Sequence, residues 1–293
     1  ANGAKQSVCN TILVLVNPGD EVIVPAPYWV SYPEMVKMAE GTPVIVSAGI
    51  EQDFKITPEQ LEAAITPKTK ALILCSPSNP TGSVYTKEEL AGLSAVLAKH
   101  PQVIVIADEI YEHINYIGAH QSIAQFPEMK ERTVIVNGVS KAYAMTGWRI
   151  GYTGSSKEIA KMMSSVQSHQ TSNPNSIAQR AAVEALNGPQ DSVAKMHAEF
   201  DKRRQYMYQR ICAMPYVSTI EPMGAFYVFV DVSDVLGKDY KGTKIEDTSK
   251  MAEILIEEYN VAVVPCADFG FADHIRLSYA ISLEQIEKGL DRI

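Results

Sequence analysis

A chain of 293 residues is long enough for one large or two ordinary domains, and 46% hydrophobic with 20% charged residues is the balance of a folded globular protein, not a disordered or fibrous one. A net charge of −8, spread along the chain without an acidic or basic block, disfavours nucleic acid as a partner. No apolar run approaches the roughly 18–20 residues needed to cross a bilayer, so the composition reads as soluble, with no membrane partner.

In chain order, Asn2-Gly3-Ala4-Lys5 precedes a helix-like run, and a small-residue loop at a helix start is a natural phosphate site. Strands are predicted at Val22–Val24, Val44–Ser47, Ala71–Cys75, Val103–Ala107, Thr133–Val136 and Arg149–Thr153. Amphipathic helical stretches lie between several of them, including Lys87–Lys99 behind Thr86 as its N-cap. The run 103–107 is apolar on both faces, the mark of a parallel sheet between two helix layers. From about Asp191 the pattern changes to a long charged helical stretch reaching about Ile211, then strands at Ala225–Val230 and Ala262–Val264 with helices around them. The chain therefore reads as α/β. A large domain spans 1–190, and a connecting helix with a smaller C-terminal α+β domain spans 191–293. There is no internal repeat and no low-complexity segment.

Cys9, Cys75, Cys212 and Cys266 stand far apart with no Cys-x-x-Cys pair, which argues against a disulfide framework and for free thiols in a reducing compartment. The six histidines show no i, i+4 pair and no ligand-like cluster, so no metal site is expected. The chain starts without an initiator Met, signal peptide or transit peptide, inside a loop that reads as functional. A natural segment before Asn2, with any targeting information, is therefore expected.

In an open α/β sheet, ligands sit beyond the carboxyl ends of the strands. Asn79 follows the strand 71–75, Asp108 ends the strand 103–107 with Tyr111 three residues on, and Lys141 follows the strand 133–136. One edge would thus gather an amide, a carboxylate, a phenol and an amine. An amine that forms an imine needs a neutral fraction near pH 7, hence a desolvated or cationic setting. A carboxylate at a buried strand end can keep a pyridine nitrogen protonated. A phenol and an amide can bond a ring oxygen, and Arg149 can fork onto the phosphate held by the N-terminal loop. Each residue also has an ordinary use: Asp108 as a helix cap, Lys141 and Arg149 as surface charges, Trp29 as a packing aromatic, Asn79-Pro80 as a turn.

The fourteen residues from Gly138 to Gly151, Gly-Val-Ser-Lys-Ala-Tyr-Ala-Met-Thr-Gly-Trp-Arg-Ile-Gly, resemble the pyridoxal-phosphate attachment motif of class I aminotransferases. Ser78-Asn79-Pro80-Thr81-Gly82 and Asp108-Glu109-Ile110-Tyr111 resemble two further motifs of that family, in the family's order. Asn2 to Gln6, Pro27 to Tyr32, Glu109 to His113 and Ala144 to Arg149 look like the aspartate/prephenate aminotransferase subgroup of bacteria and plant plastids. The resemblance implies a fold-type I pyridoxal-phosphate enzyme and a homodimer, in the cytoplasm or the plastid stroma. It implies that Lys141 holds pyridoxal 5′-phosphate as a Schiff base and shuttles a proton between Cα and C4′. Asp108 would pair with the pyridine nitrogen, Tyr111 and Asn79 would bond the phenolic oxygen, and Trp29 would stack on the ring. Gly3, Ala4, Lys5 and Arg149 would hold the phosphate. Trp29 and Asn79 would also border the substrate, and Arg276, in His-Ile-Arg-Leu-Ser-Tyr at 274–279, would fork onto its α-carboxylate.

In that subgroup the lysine matching Lys5 is associated with the distal carboxylate of a dicarboxylic substrate. The implied reaction is a ping-pong transfer of an amino group from aspartate or glutamate to a 2-oxo acid: 2-oxoglutarate, oxaloacetate or, as a further candidate, prephenate. The alternative for Lys5 is that it lends only its backbone amide to the phosphate. Gly138 departs from family members that carry a phosphate-binding Ser three residues before the lysine, and Ser140 is not assigned to replace it. The resemblance also places an N-terminal part of the family chain before Asn2, with a tyrosine that reaches the neighbouring subunit, and a few residues after Ile293. Poor activity of the chain as it stands is the corresponding expectation. Two rivals remain: a lyase or synthase on the same fold, and a non-catalytic aminotransferase-like ligand sensor.

Overall fold

The computed structural model describes residues 1–293. The chain runs α1 (Ala4–Leu15), β1 (Glu21–Ala26), α2 (Ser31–Met38), β2 (Thr42–Ser47), α3 (Pro58–Ala64), β3 (Thr69–Cys75), α4 (Lys87–Ala98), β4 (Ile104–Asp108), β5 (Thr133–Gly138) and β6 (Gly151–Gly154). It continues through α5 (Lys157–Gln170), α6 (Ser176–Asn187), α7 (Asp191–Cys212), β7 (Ser218–Thr219), β8 (Tyr227–Asp231), β9 (Asp239–Tyr240), β10 (Thr243–Lys244), α8 (Thr248–Tyr259), β11 (Val264–Pro265), β12 (His274–Ser278) and α9 (Leu283–Leu290).

The first six strands form one sheet in the order β2-β1-β3-β4-β5-β6. All neighbours are parallel except β6, which runs antiparallel to β5. Alternation along each strand explains why both faces are apolar. Val22, Val24, Ala71, Ile73 and Ile106 join Val8, Ile12, Val36, Ile159 and Met163 from α1, α2 and α5 in one core. Ile23, Leu72, Leu74, Val105 and Ala107 join Leu61, Leu90, Leu93 and Leu97 from α3 and α4 in another. The expected helix–sheet–helix sandwich is present. Thr86 caps α4 as predicted, in a reciprocal capping box with Glu89.

A second sheet, β11-β12-β8-β7, is antiparallel throughout. The buried residues of its core run from Met207 onward, including Val228, Val230, Leu255, Ile275, Leu277 and Leu290, with Phe200 and, from the first part of the chain, Tyr116 packed against them. This second core supports a proposed division into residues 1–190 and 191–293.

Every strand shifts by one or two residues at one end or both, and three strands begin two residues later than the sequence reading placed them. The strand expected from Arg149 begins at Gly151, because Arg149 is left-handed at φ 56° and cannot continue a ladder. The strand expected from Ala225 begins at Tyr227, since Ala225 is also left-handed at φ 57°. The strand expected over 262–264 is only Val264–Pro265.

The antiparallel β6 has a consequence for position. Gly138, the last residue of β5, pairs with Gly151, the first of β6. The residues just before β6 therefore arrive at the edge where the parallel strands end. There Ile150 bridges Asn2, and the Gly151 N–H donates to Ala1, so the loop before α1 is fastened beside β6. A Cβ at Gly151 would lie 2.4 Å from the Ala4 nitrogen, so only glycine permits this contact. No helix is long and apolar enough to cross a membrane.

Candidate active site

The carboxyl ends of β1, β3, β4 and β5 open onto a cavity of about 280 Å³. Among the residues lining it are Ala4, Lys5, Trp29, Asn79, Asp108, Tyr111, Lys141 and Arg149, eight of those singled out from the sequence. Gly3 lies just behind Arg149: a Cβ there would sit 2.4 Å from the Arg149 Nη2. Arg276 on β12 is attached through Asn79, whose Oδ1 accepts from its Nη1 at 2.7 Å. The structure thus brings all ten together.

Asp108 is buried at the end of β4. Tyr32 donates its hydroxyl proton to Asp108 Oδ2 at 2.6 Å, and the Ile110 N–H reaches Oδ1 at 3.3 Å. Burial pushes this carboxyl above its usual range, while the Tyr32 and Ile110 hydrogen bonds and the nearby Lys141 charge pull it down. Hydrogen bonds to a charged group contribute about 1.5–3 kcal/mol each. Desolvating a carboxylate costs several kcal/mol, so two such bonds, one of them long, leave room for a cation in the cavity.

Lys141 is the complement. Burial lowers its amine below the ordinary lysine value, Arg276 and Arg149 lower it further, and Asp108 opposes them. The ammonium sits over the rings of Tyr111 and Phe226, at 5.5 Å from each centroid. This is the desolvated, cationic setting that an imine-forming amine requires.

Two guanidinium groups lack carboxylate partners. Arg149 donates only to backbone oxygens, to Thr146 at 2.8 Å and Asn2 at 3.3 Å. The adjacent start of α1 has no side-chain cap and no acidic residue in its first turn. An unpaired Arg at an uncapped helix N-terminus is an anion cradle. Arg276 packs on the rings of Tyr227 and Phe269, 4.4 and 5.0 Å from their centroids, and its buried Nε has no partner. Lys5 lines the cavity, and its ammonium reaches over the Trp29 ring at 4.7 Å from the centroid.

The matched family model, aminotransferase class I and II, covers residues 1–293. The chain belongs to this family. It is 50% identical over 294 residues to an aspartate/prephenate aminotransferase of Cereibacter sphaeroides, covering 99% of this chain and 74% of that one. The crystal structure of a Rhizobium meliloti aspartate aminotransferase superposes with a TM-score of 0.95 at 45% identity, over 100% of this chain and 74% of that one. A Thermus thermophilus aspartate aminotransferase solved with maleate gives 0.91 at 43% identity, over 99% and 73%. These neighbours share the fold-type I architecture.

The structure adds cavity residues that the sequence reading of this aminotransferase-family chain left out: Tyr32, Cys75, Ile110, Ser140 and Thr146. Tyr32 carried one usable signal, its position three residues after Trp29 at the start of a helix. Gly138 also finds a reason. A Cβ there would come within 2.7 Å of the Ile150 carbonyl oxygen, so a serine would not fit the β5–β6 contact as it stands. The fold does bring Glu109, Glu112 and His120 together, and Asp231, Asp273 and His274. Both groups have internal partners: Ser122 donates to Glu109 at 2.6 Å, and His274 Nδ1 lies 2.7 Å from Asp273.

The environment of Lys141 makes a test in the cofactor-free protein. Because its amine is lowered, the neutral form appears at lower pH than on surface lysines, and acylation of Lys141 resolved by mass spectrometry should rise earlier on the pH axis. Arg276→Gln removes a neighbouring positive charge and should move that profile back toward higher pH. A wild-type Lys141 profile that overlays those of surface lysines would contradict this electrostatic reading.

Proposed function

We propose that the protein is a pyridoxal-phosphate-dependent aminotransferase that moves an amino group from aspartate or glutamate to a 2-oxo acid by a ping-pong route. The observation that carries this reading is one cavity lined by a lowered amine, Lys141, a buried carboxylate short of a cation, Asp108, and a guanidinium without a carboxylate partner, Arg149, with a second such guanidinium, Arg276, bonded to the cavity residue Asn79. Those four match the demands of the cofactor and of an amino acid: an aldehyde, a ring nitrogen, a phosphate and an α-carboxylate. When bound, pyridoxal phosphate supplies an electron-accepting ring conjugated to the substrate nitrogen.

The protein's own groups then divide the work. Lys141 would hold the cofactor through its amine and would serve as the base that takes the proton from the substrate Cα. Asp108 holds a proton on the ring nitrogen, with Tyr32 orienting the carboxylate. Asn79 and Tyr111 bond the ring oxygen, and Trp29 covers the ring face. Gly3, Ala4 and Lys5 offer the start of α1 to the phosphate together with Arg149. Arg276, steered by Asn79, takes the α-carboxylate in a planar fork.

The ammonium of Lys5 supports a preference for dicarboxylates, as does the naming of relatives after aspartate and the maleate held by the Thermus neighbour. Prephenate enters as a candidate acceptor through the Cereibacter relative's name. The working unit on this reading is a homodimer. Exposed apolar residues Trp148, Tyr152, Met162, Ile177 and Val183, on β6, α5, α6 and the turn before β6, support it. Sedimentation velocity should then give the dimer mass, and a monomer at micromolar concentration would contradict it.

The reaction is tested by a half-reaction screen of the cofactor-loaded protein. Aspartate and glutamate should each convert the bound cofactor to its amine form in a single turnover, with prephenate included among the acceptors of the return half. Lys5→Ala should raise the KM for aspartate about tenfold or more, the loss of one charge-assisted contact, with little change for alanine. Release of pyruvate and ammonia from a β-substituted amino acid without an acceptor would favour a lyase instead, and binding of aspartate without turnover a sensor.

A further inference from the structure

Tyr227 lies on β8, in the second sheet, and has no role in the scheme above. Its hydroxyl is 2.9 Å from that of Tyr111, and neither makes another hydrogen bond within the protein. The guanidinium of Arg276, on the adjacent β12, rests 4.4 Å from the centroid of the Tyr227 ring. One side chain therefore touches both the phenol assigned to the ring oxygen and the arginine assigned to the substrate carboxylate. Tyr111 borders the cavity, and Tyr227 stands behind it.

Two hydroxyls sharing one hydrogen bond have two proton orders. If Tyr111 donates to Tyr227, its proton is committed and it presents only lone pairs to the cavity. If Tyr227 donates, Tyr111 keeps its own proton for an acceptor in the cavity. An anionic ring oxygen selects the second order, and each hydrogen bond in such a chain polarises the next. The other groups facing the pair are Cys75, Asp108 and Lys141 around Tyr111, and Cys75 and Arg276 around Tyr227.

We propose that Tyr227 is a positioning residue that aims the Tyr111 proton at the cofactor ring oxygen and braces Arg276 by its ring face, linking carboxylate binding to the state of the lysine–cofactor imine. The inference rests on the cofactor reading above.

Two substitutions separate the functions of the hydroxyl and the ring. Tyr227→Phe keeps the platform under Arg276 and removes the donor to Tyr111. The negative charge on the ring oxygen is then less well held, so the imine keeps its proton to higher pH. Spectrophotometric titration of the visible band should move upward by about a few tenths of a unit, the polarising share of one hydrogen bond. The Kd of pyridoxal phosphate for the cofactor-free protein should rise about threefold, with KM for aspartate nearly unchanged. Tyr227→Leu removes the platform as well and should add a rise in KM of about fivefold, the scale of a cation–π contact. A Tyr227→Phe protein that binds cofactor yet titrates like wild type would overturn the inference and leave the cofactor reading standing. Absence of a visible band in the wild-type protein would instead remove the cofactor reading, and this inference with it.

Discussion

A carboxylate at the end of a fully apolar strand is the constraint around which the site is organised. Asp108 terminates β4 in the middle of the sheet, between β3 and β5, buried except where it borders the cavity. Its protein hydrogen bonds, from Tyr32 and the Ile110 amide, do not by themselves offset the cost of keeping a charge there. A cation in the adjoining cavity does. Lys141 is the nearby amine, and its own ammonium is disfavoured by burial and by the two arginines. The fold therefore sets an acid that wants a cation beside an amine that tends to lose its proton. A protonated pyridine ring tethered to that amine would satisfy both, as the proposed function requires.

Placement follows from topology. Parallel strands deliver Trp29, Asn79, Asp108 and Lys141 to one edge, each just past or at the end of its strand. The reversal of β6 returns Arg149 to the same edge, and Gly138 and Gly151 let the backbones meet closely enough to do so. The second sheet contributes Arg276 and Tyr227 from adjacent strands. Arg276 and Tyr227 thereby tie the second sheet to Asn79 and Tyr111, the groups assigned to the cofactor's ring oxygen.

The main frame was legible because it is written in local patterns. Doubly apolar strands announced the sandwich, Thr86 announced its helix, and the polar residues ending the strands announced the edge. Other features left no such trace. Arg149 sits in a left-handed turn that its residue type does not advertise, so the sequence pattern reads as strand through it. Ala225 misled for the same reason. Tyr32 looks like a packing aromatic in Ser-Tyr-Pro-Glu, and only the fold aims its hydroxyl at Asp108, 76 residues away. The pairing of Tyr111 with Tyr227 spans 116 residues and two sheets, beyond the reach of any periodicity. Side chains that touch the site's own residues, as Tyr32 and Tyr227 do, are brought there by tertiary approach, which short-range patterns do not encode.

The most direct measurement is the location of the covalent link. Protein incubated with pyridoxal 5′-phosphate, reduced with borohydride and digested should carry the pyridoxyl group on the peptide containing Lys141. Lys141→Ala should carry none there and show no visible band before reduction. Label spread evenly over surface lysines, or an undiminished band in Lys141→Ala, would contradict the account.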